Sequence, residues 1–387
     1  MDFSLSEEQQ LIVDTTRKFV REELVPHESE VEESGAVRPE LHRELRAKAQ
    51  AAGLFSANMP AEVGGAGLEG VAWVLYEKEL GHTSYALQYG CVARPSNILL
   101  ACGGEQRERY LLPAVRGERT ECLAMTEPQA GSDLRGMKTT AREQGGDFVI
   151  NGTKHFISHA DHSDFVILFA ASGEEQGPRG SRKLITAFLV DMGTPGFTVR
   201  RGYRNVSHRG YTNSILEFSD CRVPKSAVLG EVHQGFEVAN TWLGATRLQV
   251  AANCLGRAER ALALATQWAA DRRQFGQQIG KFQGVAFKLA DMAVELRAAE
   301  LLTLEAAWKL GEHTATDTDM AMAKLKASEM LAMVADEALQ IHGGMGLMSE
   351  LPLERIWRDA RIERIWDGTS EVQRHIISRA LLRPLGG

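Results

Sequence analysis

In the stretch RIWDGTSEVQR, residues 364–374, an acid stands in a turn between two helix-forming runs. Asp-Gly is common turn chemistry, and Ser370 with Gln373 matches the S-x-x-Q capping box of a helix start. The further chemistry open to Asp367 is proton transfer: walled by Ile365 and Trp366 it would be desolvated, its pKa raised, and it would serve as a general base. A second stretch, TEPQAGSD at 126–133, is a Pro- and Gly-bearing turn. Its backbone N–H groups and the hydroxyls of Thr126 and Ser132 suit an electron-rich ring edge or phosphate oxygens, although on local grounds a polar turn leaving a strand is the commoner meaning of such residues. Arg272 offers a permanent planar cation for a diphosphate, and Gly343-Gly344 permit close backbone approach; a solvated Arg and a helix-terminating Gly pair would look the same. His155, His159 and His162 invite a metal reading, but strand and loop spacing does not make them converge, so no metal site is expected.

The elements that must position these groups follow from composition and pattern. A chain of 387 residues, 44% hydrophobic and 25% charged, fits an ordinary globular protein of two or three domains. A net charge of -7 with signs mixed along the chain leaves no basic stripe for nucleic acid, and no apolar run is long enough to span a bilayer. The five cysteines are irregularly spaced without a C-x-x-C pair, which suits a reduced cytosol. The acidic N-terminus, with Ser6 and Gln9 as a capping box, predicts a helix from its first turn and neither a signal nor a transit peptide, hence a cytoplasmic protein.

Residues 1–118 read as a helical domain broken at Pro26, Pro39 and Pro60, with a loop over GLFSANMPAEVGGAGL, 53–68. Residues 119–230 read as a β domain: DFVI-NG-TKHFIS predicts a hairpin turning at Asn151-Gly152, and strands follow at 165–169, 184–190 and 215–218. Residues 231–387 return to helices, around 236–271, 284–311, 317–341 and 371–382, which suggests a four-helix bundle. Met320, Met322, Met330 and Met333 read as core filling. The fold class is α+β and multi-domain: an N-terminal helical domain, a central β-barrel or sandwich domain and a C-terminal four-helix bundle.

Over nearly its whole length the chain resembles an acyl-CoA dehydrogenase. The likeness is carried by GLFSANMPAEVGGAGL, LAMTEPQAGSDL at 123–134, NGTKHFIS at 151–158, RRQFGQ at 272–277, LQIHGGMG at 339–346 and IWDGTSEVQR. It implies FAD between the β domain and the bundle, with an acyl-CoA thioester against its ring. A carboxylate takes the α-proton as the β-carbon gives hydride to flavin N5. Asp367 stands where many members have glutamate in the pattern acid-Gly-Thr, with Gly368 beside the substrate. The same resemblance gives Leu123, Met125, Thr126, Phe156, Ser158, Thr369 and Glu371 to the flavin, with Phe156 where an aromatic, usually Trp, is found, and Ser132 to the cofactor and the pantetheine. Gln129 departs from a usual glycine. Arg272, Phe275, Gln340, Gly343 and Gly344 resemble residues offered to the FAD of a neighbouring subunit, implying a homotetramer built as a dimer of dimers.

Arg247 of the Thr246-Arg247 pair resembles a residue approaching CoA, while Gly244 departs from an acid common there. Thr246 lies where some members carry their base, which leaves Asp367 as the candidate. The helix around 84–100 is expected to border the acyl pocket with Tyr89 and Arg94, and Arg94 either pairs with a distal carboxylate or points to solvent. An electron-transferring flavoprotein is the implied acceptor. Two alternatives stay open: a nitroalkane oxidase-like enzyme, whose base here is an aspartate, and a non-catalytic flavin- or acyl-CoA-binding protein.

Overall fold

The structure, a computed structural model, describes residues 4–92, 95–177 and 180–385, with backbone alone at 241–243. The N-terminal part is helical: α1 (Glu7–Phe19), α2 (Glu28–Ser34), α3 (Pro39–Ala51), α4 (Gly70–Leu80), α5 (Tyr85–Cys91) and α6 (Leu112–Val115). The Ser6–Gln9 capping box forms as the sequence predicts, with both reciprocal hydrogen bonds present. Pro39 opens α3 at its first turn, where the missing N–H costs nothing. The loop at 53–68 holds only a short 3-10 turn, Ala61–Val63.

Eight strands follow: β1 (Glu121–Ala124), β2 (Thr140–Gln144), β3 (Asp147–Ser158), β4 (Phe165–Gly177), β5 (Gly180–Asp191), β6 (Phe197–Arg201), β7 (Asn213–Pro224) and β8 (Val228–Leu229). They form one half-barrel sheet in the order β6-β7-β3-β2-β4-β5-β8, with β1 parallel to β4. An apolar cluster lies on each face of β4: Phe165, Ile167 and Phe169 belong to one, Val166, Leu168 and Ala170 to the other. Burial on both faces explains why FVILFA is a continuous apolar run rather than an alternating one.

The hairpin expected at Asn151-Gly152 is not there. β3 runs through it from Asp147 to Ser158, with an irregularity against β7 between Ile150 and Gly152, and the tight turn falls earlier, at Gly145-Gly146, between β2 and β3. Gly152 is required for a different reason: a Cβ there would come within 2.5–2.7 Å of Thr139. The dipeptide marks a close approach, not a reversal.

The C-terminal part comprises α7 (Gly235–Asp271), a small hairpin of β9 (Arg273–Gln274) and β10 (Gln277–Gln278), α8 (Gln283–Gly311), α9 (Asp317–His342), α10 (Leu353–Glu363) and α11 (Ser370–Leu382). The pattern foretells α7, α8, α9 and α11 but not α10, whose RIWRDARIE is rich in charge because several of its charges are buried in pairs. Alanines close-pack α7 against α9: Ala251, Ala258, Ala265, Ala327 and Ala335 are fully buried. Met320 and Met330 are core, whereas Met322 is exposed, so the methionine stripe is only partly core filling. The helix start expected at Ser370-x-x-Gln373 sits one residue earlier: Thr369 caps α11 by accepting from Val372 N, and Gln373 turns back to the preceding turn. Buried Glu28 joins the helical parts, accepting from Arg260 of α7 and from Arg355 of α10 at 2.7 Å.

Candidate active site

Asp367 lies in the turn between α10 and α11 with φ 51, and Gly368 follows with φ 89. Two successive left-handed residues reverse the chain within a few atoms. A Cβ on Gly368 would meet Gln373 Nε2 at 2.5 Å, so the tight turn excludes larger residues. The surface of Asp367 is only half-buried, yet enough protein surrounds the carboxyl that burial raises its pKa to about 6. Glu363 pushes the same way, while Lys324 and Arg247 oppose it.

One wall of the turn is aromatic. Trp366 stands edge-on to Tyr85, with ring centres 4.8 Å apart, and lies 4.9 Å from His208. Tyr85 stacks on His208 and on Tyr89, Tyr89 stacks on His159 at 5.0 Å, and Tyr211 meets Tyr85, Tyr89 and His159 edge-on. Ile365, expected as a second wall, is instead half exposed. The reason is helical direction: Trp366 is drawn inward because its Nε1 donates to Glu363 Oε2 at 2.7 Å. Glu363 is itself buried and meets Arg257 and His208 Nε2. Burial would raise its pKa, but the Arg257, His208 and Trp366 contacts outweigh that and hold it at about 2. Burial lowers the pKa of His159 to about 4, so it is a neutral ring at pH 7.

The flavin-type residues of the β domain converge from two segments. β1 runs into Met125 and Thr126, and His155 N of β3 donates to Thr126 O at 3.0 Å, which sets Thr126 beside Phe156 and Ser158. Phe156 is 55% exposed with φ 56, an apolar ring held open at the surface. Beneath it a fully buried pair shapes the loop: Lys154 Nζ donates to Glu127 Oε1 at 2.8 Å and to Met125 O at 3.0 Å, and Glu127 also accepts from the Lys138 and Thr139 amides. Gln129 adds a side-chain contact to Glu127, while Ser132 is exposed. Leu123 and Met125 lie under this loop in the apolar cluster.

A second group forms at one end of the bundle. Arg272 lies over Trp268, and Trp268 stacks on His342 at 4.9 Å, which brings the Arg272–Phe275 turn beside Gln340, Gly343 and Gly344. Phe275 is 93% exposed, Arg272 and Gln340 are exposed, and nothing lies within 4 Å of where a Cβ would stand on Gly343 or Gly344. Among the described residues no hydrogen bond or ring contact joins this group to the Thr126–Phe156 group. An exposed ring, an exposed guanidinium and an open Gly-Gly backbone fit the diphosphate and adenine end of a dinucleotide.

Other expected residues are scattered. Arg247 is largely buried and pairs with Asp317 at 2.8 Å, and Thr246 is buried beside it. Thr369 caps α11, and Glu371 is exposed in its first turn. Tyr89 lies within the aromatic wall, whereas Arg94 falls outside the described residues. The three histidines face different partners: His155 packs on Phe156, His159 on Tyr89, and His162 lies 3.6 Å from Asp161. Motif reading passed over Glu127, Lys154, Lys324, Glu363 and His208. A lysine inside the apolar pattern of α9 and an acid facing the inner side of α10 were the available signals.

Family models for the acyl-CoA dehydrogenase N-terminal, middle and C-terminal domains match residues 6–118, 122–221 and 233–382. The chain therefore belongs to the acyl-CoA dehydrogenase family. It is 37% identical to the mitochondrial short-chain specific acyl-CoA dehydrogenase of Homo sapiens, over 98% of this chain and 91% of that one. It is equally 37% identical to the caffeyl-CoA reductase-Etf complex subunit CarC of Acetobacterium woodii, over 98% of this chain and 99% of that one. The solved FAD complex of PigA superposes with a TM-score of 0.90 at 28% identity, covering 98% of this chain and 99% of that one. The protein is an FAD-dependent oxidoreductase that dehydrogenates an acyl-CoA thioester.

Proposed function

We propose that Asp367 is the base of this dehydrogenation and that the acyl group is short or ring-bearing. The observation that carries the reading is a carboxyl raised to about 6 by burial, beside a wall of Trp366, Tyr85, Tyr89, Tyr211, His159 and His208. Bound FAD supplies the hydride acceptor. The chain's own part is to orient and to move one proton: Asp367 takes it from the α-carbon, and the wall excludes water and packs the acyl group. Thr126, Ser158 and Phe156, with Leu123, Met125, Thr369 and Glu371 around them, hold the flavin ring. Ser132 and Arg247 meet the CoA arm, Gly368 keeps the turn tight beside the thioester, and Arg272, Phe275, Gln340, Gly343 and Gly344 hold the FAD of a neighbouring subunit.

The relatives named for a short-chain substrate and for caffeyl-CoA bracket the acyl group, and the Etf complex subunit supports an electron-transferring flavoprotein as acceptor. A homotetramer is supported by Phe287, Val294, Leu301 and Trp308, four exposed apolar residues repeating every seven along α8. Five free, buried thiols suit a reducing, cytoplasmic setting. The test is anaerobic bleaching of the bound flavin. Butyryl-CoA or 3-phenylpropanoyl-CoA should bleach it and nitroethane should not; bleaching by nitroethane alone overturns the reading.

A further inference from the structure

We infer that Lys324 positions the Asp367 carboxylate, gripping the turn through the Gly368 carbonyl and standing behind the acid as its countercharge. This rests on Asp367 being the base. Lys324 is fully buried on α9, and its Nζ donates to Gly368 O at 2.8 Å. Gln373 Nε2 of α11 donates to the same oxygen at 2.9 Å. A non-glycine residue in the left-handed region is strained and persists only where its surroundings over-determine it. Two donors on one carbonyl, from two helices, provide that constraint for Asp367 at φ 51.

Charge acts independently of this grip. Facing this pocket are Arg247, Cys254 and Arg257 from α7, Lys324 and Glu329 from α9, Glu363 from α10, and His208 from the segment before β7, which meets Glu363. Arg257 is taken up by Glu363, Arg247 by Asp317, and Glu329 by Arg364 and Arg374. Lys324 has no ion pair within 4 Å among the described residues, and its ammonium meets only a carbonyl and the field of these acids. It is thus the cation left to stabilise an ionised Asp367 without clamping it in a salt bridge, which leaves the carboxylate oxygens available to a proton.

The experiment compares Lys324→Gln and Lys324→Met with the parent holoenzyme across pH. It reads α-proton exchange of butyryl-CoA in deuterated water by NMR, alongside FAD content and anaerobic flavin reduction. Removing the charge should move the pH midpoint of exchange upward by about one unit, the low end of what a neighbouring opposite charge contributes. Lys324→Gln, which keeps a donor, should approach the parent rate at high pH, and Lys324→Met should remain slower there. In an Asp367→Asn background, Lys324→Gln should change exchange no further. An unmoved midpoint in FAD-loaded Lys324→Gln, with exchange lost in Asp367→Asn, overturns the role of Lys324 alone. Parent-like exchange in Asp367→Asn itself overturns the base and this role with it.

Discussion

At the scale of single residues, the decisive question is how an acid in a turn acquires useful basicity. Burial accounts for most of it, because Asp367 is raised to about 6 with burial the leading cause. The raised value has a direction that can be checked: the group works as the carboxylate, so kcat/KM for the best acyl-CoA should fall as pH drops through about 6 and level off above it. A profile flat from pH 5 to 8 would place the ionisation elsewhere. Asp367→Asn should retain FAD and slow flavin reduction by at least about a hundredfold, the usual contribution of a positioned base. Stopped-flow reduction at the parent rate would return Asp367 to turn chemistry. The acid and its turn were legible in DGT, since Asp-Gly is a local signal. Its surroundings were not, because Lys324 is 43 residues away and nothing in the sequence ties it to Gly368. Asp is also about 1.5 Å shorter than the glutamate usual here, one carbon–carbon bond, so the left-handed turn must aim it.

At the scale of elements, the long helices were readable because their period and their breaks agree. Helices α7, α8, α9 and α11 begin and end within a residue or two of their Gly-, Pro- and Thr-bearing boundaries. Two local signals misled, and for one reason: a dipeptide reports backbone permissiveness, not its use. Asn151-Gly152 allowed a turn but was needed for approach to Thr139, and Ser370 allowed a cap that Thr369 makes instead. α10 escaped because pattern reading expects charges outside, while Arg355, Asp359 and Glu363 are turned in. The same blindness hid the Glu127–Lys154 pair under the Thr126–Ser132 loop. Lys154→Met would leave the Glu127 carboxylate buried and unpaired, at a cost of about 3–5 kcal/mol. Thermal unfolding should show a lowered midpoint, and the purified protein should carry less FAD because Thr126 and Ser132 ride on that loop. An unchanged midpoint with full FAD would show the pair to be dispensable.

At the scale of the whole molecule, the residues proposed for FAD fall into two groups of one chain with no contact between them among the described residues. The Thr126–Phe156 group is on the sheet, and the Arg272–Gly344 group is at one end of the bundle with its ring and cation exposed. An exposed Phe275 has no energetic reason to stand in water, and neither do Phe287, Val294, Leu301 and Trp308 along α8. Self-association by closed symmetry covers such surfaces and allows one subunit to complete another's FAD site. Cofactor binding and assembly are then linked. Val294→Glu with Leu301→Glu should lower the mass seen by light scattering, and FAD content should fall with it. Arg272→Ala should leave the mass unchanged while weakening FAD binding at least about tenfold, since a charge-assisted hydrogen bond contributes about 1.5–3 kcal/mol. FAD retained at full strength in a monomeric Val294→Glu/Leu301→Glu protein would separate the two, and the bundle-end residues would then need another ligand to explain their exposure.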